Sequence, residues 1–170
     1  MKNLTMVLII FLGISNLSFA HEMQYGGLSM PESVAEGPDG YIYVSEIGKK
    51  DKDGDGKISK IDKKGNVIPF ATGLYDPKGI VFYKEKLYVT DRDVIIEVNT
   101  DGTWTVFGST MAFPKTPVFL NDIDVDSDGN FYITDSSNFE TGGIVFKMNL
   151  AGNITVLFDE TTENNKAPNG

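Results

Sequence analysis

Beyond its first 30 residues, the chain is built from short stretches in which apolar and polar positions alternate. Three of these stretches end in a hydroxyl residue followed by an acid: IYVSE at 42–46, LYVTD at 87–91 and FYITD at 131–135. Alternation with a period of two is typical of β-strands that bury one face. Each stretch is followed by a strand-like segment, a glycine turn and a further strand-like segment (ISKID then VIPFATG, IIEVN then WTVFGS, VFKMN then ITVLFD). No segment in this part of the chain has the 3.6-residue period of an amphipathic helix, so the pattern predicts an all-β fold.

The strand-like stretches belong to a longer repeat. Three units begin with PESV at 31, PKGI at 77 and LNDI at 120, and PNG at 168 begins a fourth. The starts lie 46, 43 and 48 residues apart. Four strands that recur with a period in the forties indicate the blades of a β-propeller. We therefore expect blades at about 31–76, 77–119 and 120–167, with the start of a fourth at 168–170.

Three blades are fewer than a closed propeller needs, since such proteins have about four to eight. We expect the chain to be the N-terminal half of a longer propeller. A half propeller leaves apolar faces and strand edges open, so self-association is the alternative way of covering them.

The N-terminus has the pattern of a secretory signal peptide. Lys2 precedes an apolar run at 4–12, and small residues stand at the two positions that signal peptidase reads before His21. An uncleaved membrane anchor is the alternative, but Gly13 and Asn16 interrupt the apolar run. We expect cleavage after residue 20, a lead-in at 21–30, and a secreted or periplasmic protein that is free of the membrane.

Composition narrows the chemistry. The 170 residues include no cysteine and one histidine, and the net charge is -9. The lack of cysteine excludes a disulfide framework, a thiolate zinc site and a thiol nucleophile. The acidic balance makes nucleic acid an unfavourable partner. Small molecules and cations remain the expected ligands.

Equivalent positions of the repeat should meet at one end of a propeller channel, because the first strand of each blade lines it. That ring contains Glu32, Lys78, Asn121 and Asn169. Carboxylate and carboxamide oxygens are ligands that calcium prefers, and an ion with few charged ligands stays a Lewis acid. The alternative is that the asparagines cap local turns and that Glu32 is simply exposed.

The same segments resemble a known family. The PES segment at 31–33, the ND pair at 121–122 with the DSDG turn after it, and the PNG at 168–170 are similar to motifs of the gluconolactonase and senescence-marker family. Paraoxonase-like and drug-responsive lactonases are related to that family, and the repeats are NHL-like. The resemblance covers the chain from about residue 28 to residue 170.

The resemblance implies a six-bladed propeller with a divalent ion, usually calcium, at the channel mouth and a lactone or ester as the substrate. The ligands that it implies in this chain are Glu32, Asn121 and Asn169. It places the catalytic base beyond Gly170. Gluconolactonases carry an arginine for sugar binding just before the ND pair, whereas this chain has Phe119 and Leu120 there.

A second cation site is predicted between two strands of the first blade. The sequence DKDGDGKI at 51–58 fits an EF-hand-type loop, in which carboxylates at alternating positions surround calcium and a glycine permits the sharp turn. The predicted ligands are Asp51, Asp53, Asp55, the backbone carbonyl of Lys57 and Asp62. The alternative is a solvated hairpin, because several lysines in the same segment oppose a cation. A similar pattern at 124–129 is interpreted as a hairpin turn.

Two functions follow from these features. The first is a secreted calcium-dependent lactone or ester hydrolase with its metal, calcium or another divalent ion, at the channel mouth. The second is a non-catalytic propeller that binds a ligand or partner and uses calcium for stability alone. The fold cannot decide between them, because one fold supports many functions.

Overall fold

The chain forms three antiparallel sheets of four strands each in a computed structural model that describes residues 26–49, 52–140, 142–159 and 167–170. The first sheet contains β1 (Pro31–Glu36), β2 (Ile42–Glu46), β3 (Gly56–Ile61) and β4 (Val67–Leu74). The second contains β5 (Pro77–Tyr83), β6 (Lys86–Asp91), β7 (Val94–Val98) and β8 (Trp104–Gly108). The third contains β9 (Leu120–Val125), β10 (Phe131–Asp135), β11 (Ile144–Met148) and β12 (Ile154–Asp159).

Within each sheet the strands pair in chain order, as in a propeller blade. In the described part of the chain, the only helical element is a three-residue 3-10 turn at Thr110–Ala112, and no helix there is long and apolar enough to cross a membrane. The prediction of an all-β fold made of four-stranded units is confirmed. The predicted signal peptide and most of the lead-in lie outside the described residues.

The sheets pack face to face, and a separate apolar core fills each of the two gaps. The first core joins sheets one and two, and it includes Ile58, Leu74 and Val89. The second joins sheets two and three around Phe131 and Phe146. The middle sheet is therefore buried on both sides, and β6 contains five consecutive buried residues rather than alternate ones. The sequence predicted strands with one buried face; the second face is covered because a neighbouring sheet lies on each side.

Hairpin turns of one type join the third and fourth strands of each sheet. An Asp or Asn begins the turn, and a glycine three positions later has a positive φ and donates its N–H back to the first residue. The residues that begin these turns are Asp62, Asn99 and Asn149. Asp126 begins the same turn between the first two strands of the third sheet. These turns all lie at the ends of the sheets opposite to the starts of β1, β5 and β9.

Candidate functional site at the starts of the inner strands

The ring predicted from the repeat lies at the starts of three adjacent strands, β1, β5 and β9, which we call the inner strands. Glu32, Lys78 and Asn121 are the second residues of β1, β5 and β9, respectively. Strand β5 lies between the other two and contacts both. The structure thus places three of the four predicted ring residues at the same end of neighbouring inner strands.

Each inner strand has a β-bulge at its ring residue. In all three sheets, the register shifts so that two inner-strand residues oppose a single residue of the second strand. The opposing residues are Ser45, Thr90 and Thr134. Their hydroxyls satisfy the backbone groups that the bulge leaves without a ladder partner: Ser45 Oγ accepts from Ser33 N at 2.9 Å, and Thr134 Oγ1 accepts from Asp122 N at 3.0 Å. Bulges of this kind re-aim a side chain, and here they act at the ring position.

The acid that follows each hydroxyl holds the loop that leads into the inner strand. Glu46, Asp91 and Asp135 are at most 1% exposed. Glu46 accepts from Ser29 N, Asp91 from the N–H groups of residues 75 and 76, and Asp135 from those of residues 118 and 119. We call these three side chains the loop clamps. The hydroxyl–acid pair was visible in the sequence as a repeated motif, but its role in fixing the ring residue is seen only with the bulge.

The Asn121 side chain is oriented by a short hydrogen-bond chain. Ser136 Oγ donates its only proton to Pro168 O at 2.7 Å, so it must accept from Asn121 Nδ2, which lies 2.9 Å away. This fixes the carboxamide, because the nitrogen faces Ser136 and Oδ1 points elsewhere. None of the described residues donates to that oxygen. Asn121 therefore keeps a carboxamide oxygen free, as a hard cation requires.

The segment 167–170 lies against the third sheet beside this chain. Pro168 accepts from Ser136 and packs on Gly143, where an added Cβ would come within 2.3 Å of the proline ring. Gly170 lies close to the Asp122 carboxylate. Asn169 stands between these two contacts and is exposed. The structure therefore brings Asn121 and Asn169 to the same region of the third sheet.

Glu32 lies on the far side of β5 from Asn121. Its side chain is exposed, and no hydrogen bond to it is found among the described residues. The free carboxylate and the free Asn121 oxygen fit the chemistry of a divalent cation. The ligand set of Glu32, Asn121 and Asn169 stays a prediction.

Lys78 is the buried cation of the ring. The residue is only 5% exposed, and its ammonium donates to Asp76 O at 3.1 Å and lies 4.2 Å from the centre of the Phe119 ring. Burial lowers the pKa of Lys78 below its ordinary value, while the carboxylates of Asp76, Asp91 and Glu32 oppose that shift. Lys78 also lines a cavity of about 490 Å³.

The cavity lies over this end of the sheets. The residues that line it are Met30, Ile47, Asp53, Asp76, Lys78, Arg92 and Phe119. Arg92 stacks over Tyr75 at 4.5 Å and pairs with Asp53 at 3.1 Å. That pair neutralises both charges, so Lys78 and Asp76 are the charged groups of the lining that have no salt-bridge partner among the described residues.

The predicted calcium loop is only partly assembled. Asp53 pairs with Arg92, and Asp55 Oδ2 lies 3.5 Å from Lys52 Nζ. Asp55 Oδ1 is buried and has no hydrogen-bond partner in the described part of the chain. Asp51 lies outside the described residues.

Asp62 is not brought to this loop. Residues 56–61 form β3, and a strand that rises about 3.3 Å per residue carries Asp62 roughly 20 Å away from Asp55. Its carboxylate accepts instead from the N–H groups of Lys64 and Asn66. Lys57 is a strand residue whose ammonium lies 3.2 Å from Glu46. In residues 26–49, 52–140, 142–159 and 167–170, no group of three or more acidic or histidine side chains is placed to hold a metal ion.

Comparison with known proteins relates this architecture to solved structures. No protein-family model matches the sequence, and no curated protein matches it significantly. The structure is similar to a luciferin-regenerating enzyme, with a TM-score of 0.62 and 10% identity over 77% of this chain and 46% of that one. It is also similar to regucalcin, a calcium-binding protein from Agrobacterium tumefaciens, with a TM-score of 0.57 and 19% identity over 74% of this chain and 43% of that one.

A gluconolactonase from Xanthomonas campestris matches with a TM-score of 0.58 and 17% identity, over 86% of this chain and 52% of that one. The chain spans about half the length of these solved structures. At such identities the matches show the fold, and they confirm the predicted partial β-propeller and its resemblance to gluconolactonase-type proteins.

Proposed function

We propose that this chain carries part of the metal site of a secreted lactone or ester hydrolase that depends on calcium or another divalent ion. The observation that carries the proposal is the oriented Asn121 carboxamide, whose nitrogen is committed to Ser136 and whose oxygen is left without a donor. The gluconolactonase-type fold supports it. The signal-peptide pattern at 1–20 stays a prediction and would place the protein outside the cytoplasm.

The residues that would hold the ion are Glu32, Asn121 and Asn169. A bound divalent ion would supply a Lewis acid that polarises the carbonyl of the substrate. The bulge in β9 and the Asp135 clamp keep Asn121 at a fixed place before any ligand arrives. The cavity beside Lys78 gives a small substrate an apolar wall of Met30, Ile47 and Phe119 next to the ring.

The test compares two substitutions of the same type on β1. Glu32→Gln removes a charged ligand, while Glu36→Gln makes the same change at the other end of the strand, where the side chain is also exposed. We expect Glu32→Gln to weaken calcium binding at least about tenfold, because calcium sites depend on carboxylate charge. Isothermal titration calorimetry measures the affinity, and hydrolysis of a simple lactone and an aryl ester measures the activity.

Glu36→Gln should leave both quantities unchanged, and neither substitution should alter the melting temperature without calcium. Equal calcium affinity in the wild type and in Glu32→Gln would contradict the assignment of the metal site. Calcium binding through Glu32 without hydrolysis of either substrate would favour the non-catalytic binding function.

A further inference from the structure

The ring contains a positive charge that belongs to the protein itself. Lys78 occupies the middle of the three described ring positions, between Glu32 on β1 and Asn121 on β9. An ordinary surface lysine keeps its ammonium in water, but Lys78 is only 5% exposed. The fold therefore holds the Lys78 side chain at the ring instead of leaving it in solvent.

The ammonium is only partly satisfied by its surroundings. It has three N–H donors, and among the described residues a single hydrogen bond, to Asp76 O, uses one of them. One further contact is to the face of the Phe119 ring, which attracts a cation. The charge is balanced from a distance by three carboxylates, those of Asp76, Asp91 and Glu32, and opposed by Arg92.

Asp91 and Asp76 are poorly placed to bind a cation from solution. Asp91 is buried and accepts hydrogen bonds from the N–H groups of Tyr75 and Asp76, so its oxygens are already engaged. Asp76 holds Lys78 through its backbone oxygen and stands beside it in the cavity wall. Glu32, in contrast, is exposed and unpaired among the described residues, so it is the carboxylate for which an internal and an external cation would compete.

We propose that Lys78 is a built-in counter-ion that competes with the divalent ion for Glu32 and sets the ring to weak, readily reversible ion binding. The inference rests on the proposed function, since it concerns the same site. A divalent ion that enters the ring meets a fixed positive charge that cannot move into bulk water, because the side chain is enclosed. The repulsion lowers the affinity for the ion, and loss of the lysine charge removes that repulsion.

The experiment changes the charge and keeps the shape as far as possible. Lys78→Met and Lys78→Gln both remove the charge, Lys78→Arg keeps it, and Lys63→Met removes an exposed lysine from a turn at the opposite end of the first sheet. The dissociation constant for calcium alone is measured by titration calorimetry, and circular dichroism checks that each variant is folded. We expect Lys78→Met to bind calcium at least about tenfold more tightly than the wild type, because a like charge beside the ion is removed.

Lys78→Gln should show the same direction of change, while Lys78→Arg and Lys63→Met should bind like the wild type. The tighter binding must vanish when Glu32→Gln is added to Lys78→Met; if it persists, the ion binds elsewhere and the inference is overturned. Equal or weaker binding in both folded neutral variants overturns it as well. If the wild type binds calcium through Glu32 and the neutral variants gain nothing, only the counter-ion role fails; if none of the proteins binds calcium, the proposed metal site fails with it.

Discussion

Ser136 shows how a single side chain connects separate parts of the site. Its hydroxyl accepts from the buried Asn121 amide and donates to the carbonyl of Pro168, so it joins the inner strand of the third sheet to the segment that carries Asn169. Ser136 itself is fully buried. If the Ser136 hydroxyl were removed, Asn121 and Pro168 would each lose a hydrogen bond in a place where water has little access.

We expect Ser136→Ala to lower the free energy of unfolding by about 1–3 kcal/mol, because it leaves a buried donor and a carbonyl unsatisfied. It should also weaken calcium binding, since the Asn121 carboxamide is then free to rotate. Urea unfolding and titration calorimetry measure the two effects. Ser127→Ala, in an exposed turn of the same sheet, is the matched control. Unchanged stability and affinity in Ser136→Ala would show that this hydrogen-bond chain is unimportant.

The sequence predicted where the ring residues lie but not how their side chains are buried and oriented. The ring positions of Glu32, Lys78 and Asn121 followed from the repeat alone, because equivalent strands place equivalent residues at one end. The burial of Lys78 did not follow, since it depends on Phe119 and Asp76, which come from loops of different sheets. The direction of the Asn121 amide likewise depends on residues 15 and 47 positions away, Ser136 and Pro168.

At the scale of the element, the hairpin turn that begins at Asp126 is held by the carboxylate of that residue. Asp126 accepts from the N–H groups of Asp128 and Asn130, from the Asn130 amide and from the Tyr132 hydroxyl. These hydrogen bonds, above all that from the Asn130 N–H, lower the pKa of Asp126 to about 2. The DxDxDG pattern around it is therefore a turn, as the repeat predicted.

The pH dependence of stability should report this turn. The pKa of Asp126 is about 2 in the folded protein and has an ordinary value of 3.8. Such a group stabilises the fold at pH values above 3.8, and this contribution is lost as the pH falls from 3.8 toward 2. We expect Asp126→Ala to be less stable than the wild type at pH 7 and the difference to shrink at pH 2.5. Urea unfolding at both pH values measures it. A difference of equal size at the two values would contradict the assignment.

Strand β3 explains why Asp62 does not join the other predicted ligands of the calcium loop. An EF-hand-type loop needs its twelfth residue to return to the ion, yet β3 extends directly from Gly56 and carries the chain away from Asp53 and Asp55. The strand pattern that predicted β3 already contained this information. The spacing of acids along a sequence predicts a cation site only where the backbone forms a loop that brings those acids together.

At the scale of the whole molecule, the sheets share apolar cores but leave other apolar surface open. Two cores lie between consecutive sheets. The last strand of the third sheet exposes Val156, Leu157 and Phe158, the last of these to 50%. Exposed apolar side chains in a row are typical of a surface that covers itself by association.

We expect the chain to self-associate as its concentration rises, and Phe158→Lys to reduce the association by adding a charge to this strand. Sedimentation velocity over a range of concentrations measures the effect. Thr105→Lys adds the same charge to an exposed position of the second sheet and should change little. A chain that stays monomeric at all concentrations, or equal association in both variants, would contradict the role of this strand.

The loop clamps have a consequence for how this scaffold can change. Glu46, Asp91 and Asp135 fasten the loop that precedes each ring position, and they do so through backbone N–H groups, whatever side chain stands in the ring. An acid, a base and an amide occupy that position in the three repeats. The residues that hold the loop and the residues that would contact a ligand are thus different ones. A substitution in the ring changes the groups that face a ligand and leaves the clamp hydrogen bonds in place, which makes the ring a natural starting point for engineering new ligand preferences into the molecule.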